Sequence, residues 1–182
     1  MYNPFRGTKI GGIYMKTNIS NLMNLVSEYE RNFNMADGNL REHIYSTTIE
    51  ELDGRKNVIE DFKQDFADEF EEYNELFAKI QAAKKIIAKK NNELTLSNGE
   101  TIADALISIN LLRKKMYLME SFLNYKNSKR RVTEVNNSYF ESKEVNFDVA
   151  KIKEEYTKIQ EQIQNLEFEI SKLNSIEFEV EW

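Results

Sequence analysis

A chain of 182 residues with 31% charged side chains, six glycines and one proline is long enough for one folded domain and too poor in turn residues for an all-β fold. It has no cysteine, which excludes disulfides, thiolate metal sites and cysteine nucleophiles, and its one histidine excludes His-based metal sites and paired-imidazole relays. A net charge of −6 argues against a general nucleic-acid binder, and no apolar run reaches the roughly 20 residues that cross a bilayer. The start has no apolar signal region, so a cytoplasmic location is the default expectation.

Residues 1–17 hold three of the six glycines and the one proline, and read as an N-terminal arm. Within them Lys9-Ile10 and Ile13-Tyr14 suggest a short strand interrupted at Gly11-Gly12. Residues 18–182 are expected to form one domain. Its first helix runs from Ile19 to about Phe33, with Leu22, Val26, Tyr29 and Phe33 on one face and Asp37-Gly38 as its end. Residues 39–54 are β-prone and carry His43, which is read as a structural or surface residue because no partner base stands at a defined spacing.

A longer helix is expected from Arg55 to about Lys90. Its apolar stripe is read as Ile59, Phe62, Phe66, Phe70, Tyr73, Phe77, Ile80, Ala83 and Ile87. Acidic residues fill its first half and lysines its end, an order that suits the helix dipole. The acids Asp68 and Glu72 are read as a solvated face. A polar link follows over Asn91 to Leu106. Asn98-Gly99 marks a turn, and Thr101 with Asp104 three positions on marks a helix start whose backbone N–H groups suit an anion.

The third helix is expected from Thr101 to about Tyr125, with Ala105, Ile109, Leu112, Met116, Met119 and Leu123 at alternating spacings of four and three. A short link predicts that it runs antiparallel to the second. That pairing would gather Lys84, Lys85 and Lys89 with Arg113, Lys114 and Lys115, up to six cations on one surface, with Asn91, Asn92 and Thr101 in the adjoining link. Such a cluster either holds an anionic ligand or pairs with the acidic helix of another subunit. Residues 126–147 read as a loop or β-hairpin, a β insertion near 131–147. There Arg130 and Arg131 with Tyr139 and Phe140 offer guanidinium and stacking groups to a nucleotide, and equally suit an ordinary hairpin that covers the helical core. Asp148 caps a last helix to Asn174. Its stripe of Val149, Ile152, Tyr156, Ile159, Ile163, Leu166, Ile170 and Leu173 is unbroken over about 40 Å. The tail alternates Ile176, Phe178, Val180 and Trp182 with glutamates, a strand expected to pair with the 131–147 region or with a second subunit.

Leu96, Gly99, Glu100, Thr101, Asp104, Ala105 and Leu106, with Asp148 and Val149 opening the final helix, resemble the septicolysin-like family of small helical proteins over roughly residues 76–176. The chain departs from that pattern at Asn98, at Ile109-Asn110 and at Gln164, Leu166 and Glu167. The family's name implies a cytolysin.

The expectation is a mostly α fold, an antiparallel bundle of long helices with a small β element, assembled as a homo-oligomer. No catalytic residue, metal site or cofactor is assigned, because the chain has no histidine pair, P-loop or metal-ligand spacing. Two functions stay open. One is a non-enzymatic binding protein that sequesters a small phosphorylated ligand, such as a nucleotide second messenger, in the manner of a phage sponge. The other is a membrane-active or scaffolding helical protein, as the resemblance implies. Ligand-binding candidates are Lys84, Lys85, Lys89, Asn91, Asn92, Thr101, Arg113, Lys114, Arg130 and Arg131.

Overall fold

The computed structural model describes residues 14–135 and 137–181. Most of the arm, including Lys9-Ile10 and Gly11-Gly12, lies outside them, as do Asn136 and Trp182. The described elements are four helices and three separate two-stranded antiparallel sheets. They fall into two compact units, one through Asn91 and from Asn174, the other over 92–173.

In the first unit, α1 (Ile19–Glu42) starts at Asn18, whose side-chain oxygen accepts from the backbone N–H of Asn21 at 2.8 Å. The helix runs through Asp37-Gly38 instead of ending there. Ala36 is buried and Leu40 half-buried, so the three-and-four stripe continues past the glycine. Arg41 donates back to Asp37 at 2.9 and 3.2 Å across one turn. Together these offset the cost of about 1 kcal/mol that a mid-helix glycine carries.

A hairpin of β2 (Thr47–Glu50) and β3 (Lys56–Glu60) follows. It turns at Asp53-Gly54, where Gly54 takes φ +85. The second helix, α2 (Lys63–Glu93), therefore starts eight residues later than Arg55, because β3 takes branched Val58 and Ile59 into a strand, Val58 opposite Thr48 and Ile59 at a bulge, instead of into a helix. Its inward stripe is also displaced. Leu76 and Ala83 are buried, with Phe66, Tyr73, Ile80 and Ile87 half-buried, whereas Phe70 and Phe77 are 50% and 53% exposed. The helices α1 and α2 run antiparallel. Phe33 stacks on Tyr73 at 4.2 Å, Glu30 near the middle of α1 meets Lys84, and His43 at the end of α1 meets Glu69 near the start of α2.

The tail strand β6 (Phe178–Glu181) pairs with β1 (Tyr14–Thr17), in register from Tyr14 opposite Glu181 to Thr17 opposite Phe178. It does not pair with the 131–147 region. Val180 and Thr17 are buried, Lys16 pairs with Glu177, and Lys90 of α2 sits 5.0 Å over the Phe178 ring. These contacts tie the strand to the first unit.

The second unit has α3 (Ile102–Leu123), the hairpin β4 (Ser128–Glu134) with β5 (Asn137–Lys143), and α4 (Val149–Asn174). Both helical stripes fall as the spacing predicts. Ile102, Ala105, Ile109 and Met119 are buried on α3, and Ile159, Ile163, Leu166 and Ile170 on α4. The outermost Val149 is 38% exposed. The pair is antiparallel: Ser97, just before α3, reaches Glu169 near the end of α4, and Phe122 packs on Phe147 ahead of α4 at 5.6 Å. Each unit is thus a helix, a β-hairpin and a returning helix.

Candidate functional site

The link that precedes α3 is built as a tight turn. Leu96 is buried, its N–H donates to the Glu100 carbonyl at 2.8 Å, and Gly99 takes φ +87 while donating to the Leu96 carbonyl at 3.0 Å. A single bridge pairs Thr95 with Thr101. Thr101 caps α3 as its spacing predicts. The Asp104 N–H donates to Thr101 Oγ1 at 3.1 Å, and that hydroxyl donates to Asp104 Oδ2 at 2.7 Å. The hydroxyl of Thr101 is therefore engaged by the cap.

The link does hold an anion, and the chain supplies it. Both the backbone N–H and the hydroxyl of Ser97 donate to the Glu169 carboxylate, at 2.8 Å each. These donors hold the Glu169 carboxyl below its ordinary pKa, the backbone N–H most of all. An open groove of about 520 Å³ lies beside this contact, with Asn165 and Phe168 on its α4 wall. The Lys172 ammonium stands 4.0 Å over the Phe168 ring. Nothing in the sequence spacing marks Glu169 as the partner, since 72 positions separate it from Ser97.

The expected cationic residues fall in both units. Lys84, Lys85, Lys89 and Asn91 lie in the first, on the last turns of α2, and Asn92, Thr101, Arg113, Lys114, Arg130 and Arg131 in the second. Several are already matched to acids. Lys84 pairs with Glu30 of α1 at 2.5 Å, Arg113 with Glu167 of α4 at 2.5 Å, and Lys115 beside it with Glu155 at 2.5 Å. Lys85 donates to the Gln81 side-chain oxygen at 3.3 Å. The Asn91 side-chain oxygen is buried with no hydrogen-bond partner among the described residues, while Asn92 is exposed. Lys114 is exposed on α3 and has no carboxylate partner among the described residues.

The hairpin divides the four groups that neighbour each other in sequence. Arg130 stands opposite Glu141, and Val132 opposite Tyr139, on one face; Arg131 stands opposite Phe140 on the other. This follows from the period of two along a strand. Arg130 binds Glu141 at 2.5 Å through its guanidinium. On the other face the Lys129 ammonium lies 4.7 Å over the Phe140 ring. One nucleotide therefore does not meet Arg130, Arg131, Tyr139 and Phe140 together on this hairpin.

His43 has a partner that sequence spacing did not reveal. Its Nδ1 is 2.9 Å from Glu69 Oε2, and its ring stacks on Phe62 at 4.6 Å. The hydrogen bond to Glu69 raises its pKa, against a smaller opposing effect of desolvation. Ser46 braces the same junction, its hydroxyl reaching Asp61 at 3.3 Å and accepting the Phe62 N–H at 3.1 Å. Asp68 is exposed and accepts from Gln64 at 2.7 Å, and Glu72 is exposed one turn on, a solvated face as expected.

Among the described residues no three acidic or histidine side chains converge as a metal site, and no helix is long and apolar enough to cross a membrane. No curated protein and no solved structure matches the chain. A family of unknown function (DUF6847) matches residues 60–178, and the chain belongs to that family.

Proposed function

We propose that this protein is a non-enzymatic homo-oligomer that binds and sequesters a small phosphorylated ligand, with a nucleotide second messenger as the example. The outer face of α3 carries the assembly part of this reading. Ile107, Leu111 and Leu118 are 62%, 60% and 54% exposed at spacings of four and seven, the repeat that seats one helix against another. Leu106 and Tyr117 widen the same apolar surface. A long-helix bundle completed by a second copy would cover it. The ligand part is supported by Lys85 and Lys114, which are exposed cations with no carboxylate partner among the described residues.

Light scattering tests the assembly: a mass above 21.5 kDa that falls in Ile107→Ser/Leu111→Ser supports it, and a single-chain mass at every concentration removes it. Calorimetry against a panel of nucleotides tests the ligand. Binding lost in Lys114→Gln, with the helical content unchanged, supports sequestration. The membrane-active reading that comes with the septicolysin-like resemblance has a separate outcome, leakage of dye from liposomes with no nucleotide bound.

A further inference from the structure

Both units insert a β-hairpin between two antiparallel helices, and both hairpins stand in solvent. Every residue of β2 and β3 is exposed, and β4 and β5 have one half-buried position each. A two-stranded hairpin without a covering layer is marginal in water. These two also present apolar side chains: Val58 is 61% exposed on the first and Phe140 63% on the second.

The two arms occupy the same place in the same plan, yet their charges are opposite. On the first, Glu50, Glu51, Asp53 and Glu60 outnumber Arg55 and Lys56. On the second, Lys129, Arg130, Arg131 and Lys143 outnumber Glu134 and Glu141. The cations are also sorted by face. Arg130 is neutralised by Glu141, while the opposite face shows Lys129 and Arg131 around Phe140, with no carboxylate partner for either among the described residues. On the acidic arm, Val58 shares a face with Glu50 and Lys56, which pair at 3.2 Å. Arg55 pairs with both Glu51 and Asp53, so the arm keeps its net negative charge with Glu60 as the carboxylate that has no cation partner among the described residues.

We infer that the basic β4–β5 arm of one copy docks on the acidic β2–β3 arm of a second copy, with Phe140 against Val58 and Lys129 and Arg131 among the carboxylates. The proposal rests on the reading that the chain self-assembles and assigns a surface to that assembly other than the α3 face. Apolar residues at the centre with opposite charges around them are the composition of a protein–protein contact, and the charges set which arm meets which. The contact is heterologous: each copy offers one arm of each kind, so it propagates from copy to copy and closes as a ring or continues as a filament. Two acidic or two basic arms would repel, which excludes the self-pairing of either arm.

The test is a charge exchange in the full chain, read by light scattering. Lys129→Glu/Arg131→Glu makes both arms acidic, and Glu50→Lys/Glu60→Lys makes both basic. Each variant alone should have a lower mass than the wild type. An equimolar mixture should assemble to a mass above that of either variant alone, and to the wild-type mass for a filament or a ring of even number, because every contact in an alternating assembly is again between opposite arms. Circular dichroism checks that the exposed substitutions leave the helices intact. The wild-type assembly should also shrink as salt rises from about 50 to about 500 mM, since the Debye length shortens to about 4 Å and exposed facing charges are screened. Variants that keep the wild-type mass, or a mixture that stays at the lower mass, would overturn the arm pairing and leave self-assembly through α3 standing. Unchanged mass with lost nucleotide binding in Lys129→Glu/Arg131→Glu overturns it by giving the arm to a small anion. A wild type of single-chain mass removes the assembly reading and this pairing together.

Discussion

His43 closes the end of α1 onto the start of α2, and its charge depends on pH. Its folded pKa lies above the ordinary value of 6.5, because Glu69 accepts from the ring. A raised pKa means that the folded state holds the proton more tightly than the unfolded chain. The contribution is therefore fully present below about 6.5 and is lost as pH rises through the folded value. His43→Gln should lower the melting temperature below pH 6 and have progressively less effect toward pH 9. A difference that stays constant across that range would mean that the ring packs on Phe62 without using its charge. Glu169 has the opposite sign. Its pKa is depressed from 4.5 by the two Ser97 donors, so its contribution is present above about 4.5 and is lost as pH falls through the lower folded value. Ser97→Ala removes the hydroxyl and leaves the N–H donor. It should lower the melting temperature at pH 7 and reduce the further loss between pH 5 and pH 3, which a pair of thermal melts at each pH would read. At this scale Thr101 with Asp104 was legible because both partners lie within one turn. Glu69 and Glu169 were not, because nothing local selects one glutamate among many as a distant acceptor.

At the scale of elements, the helices with plain three-and-four spacing of aliphatic residues are read correctly from sequence, as α3 and α4 show. The helix α2 is not, since aromatics at 66, 70, 73 and 77 suggest one stripe while the buried line passes through Leu76. Phe70 and Phe77 sit one position off it, and their size draws attention away from the leucine. Leu76→Ala should cost about 2–5 kcal/mol, and Phe77→Ala less than about 1 kcal/mol, in denaturant melts of the same chain. Equal costs would mean that both residues are covered in solution, as assembly over Phe77 would do. The turn before α3 has its own requirement. Gly99 has open space where a Cβ would go, so Gly99→Val meets no clash and its cost is conformational, from a β-branched residue at positive φ. The expected loss is about 1–3 kcal/mol, and an unchanged denaturation midpoint would show that the turn relaxes.

At the scale of the whole molecule, the start and the end of the described chain meet in the β1–β6 sheet and belong to the first unit. Val180 is buried there, opposite Met15. Val180→Asp places a charge in that apolar contact and should destabilise the first unit by more than about 2 kcal/mol. Hydrogen exchange by mass spectrometry would then show faster exchange in α1 and α2, with protection of α3 and α4 retained. Equal loss in both units would show that they unfold as one cooperative body.

The sequence by itself determined the helical class, the four helices, the cap at Thr101, the faces of α3 and α4 and the strand character of the tail. All of these rest on residues within a few positions of one another, where propensity and periodicity act. It misplaced the end of α1, the start of α2 and the partner of the tail strand. Gly38 is outweighed by burial on either side of it, the strand that carries Val58 and Ile59 is captured by a facing strand at Val58, and a strand's alternation gives its faces but not its neighbour. Only the tertiary structure decided that Lys84, Arg113 and Arg130 are matched to Glu30, Glu167 and Glu141, and that Arg130 and Arg131 face apart. Charge counted along a chain does not reveal which carboxylate the fold brings within 2.5 Å of each cation, and that pairing depends on packing between elements far apart in sequence.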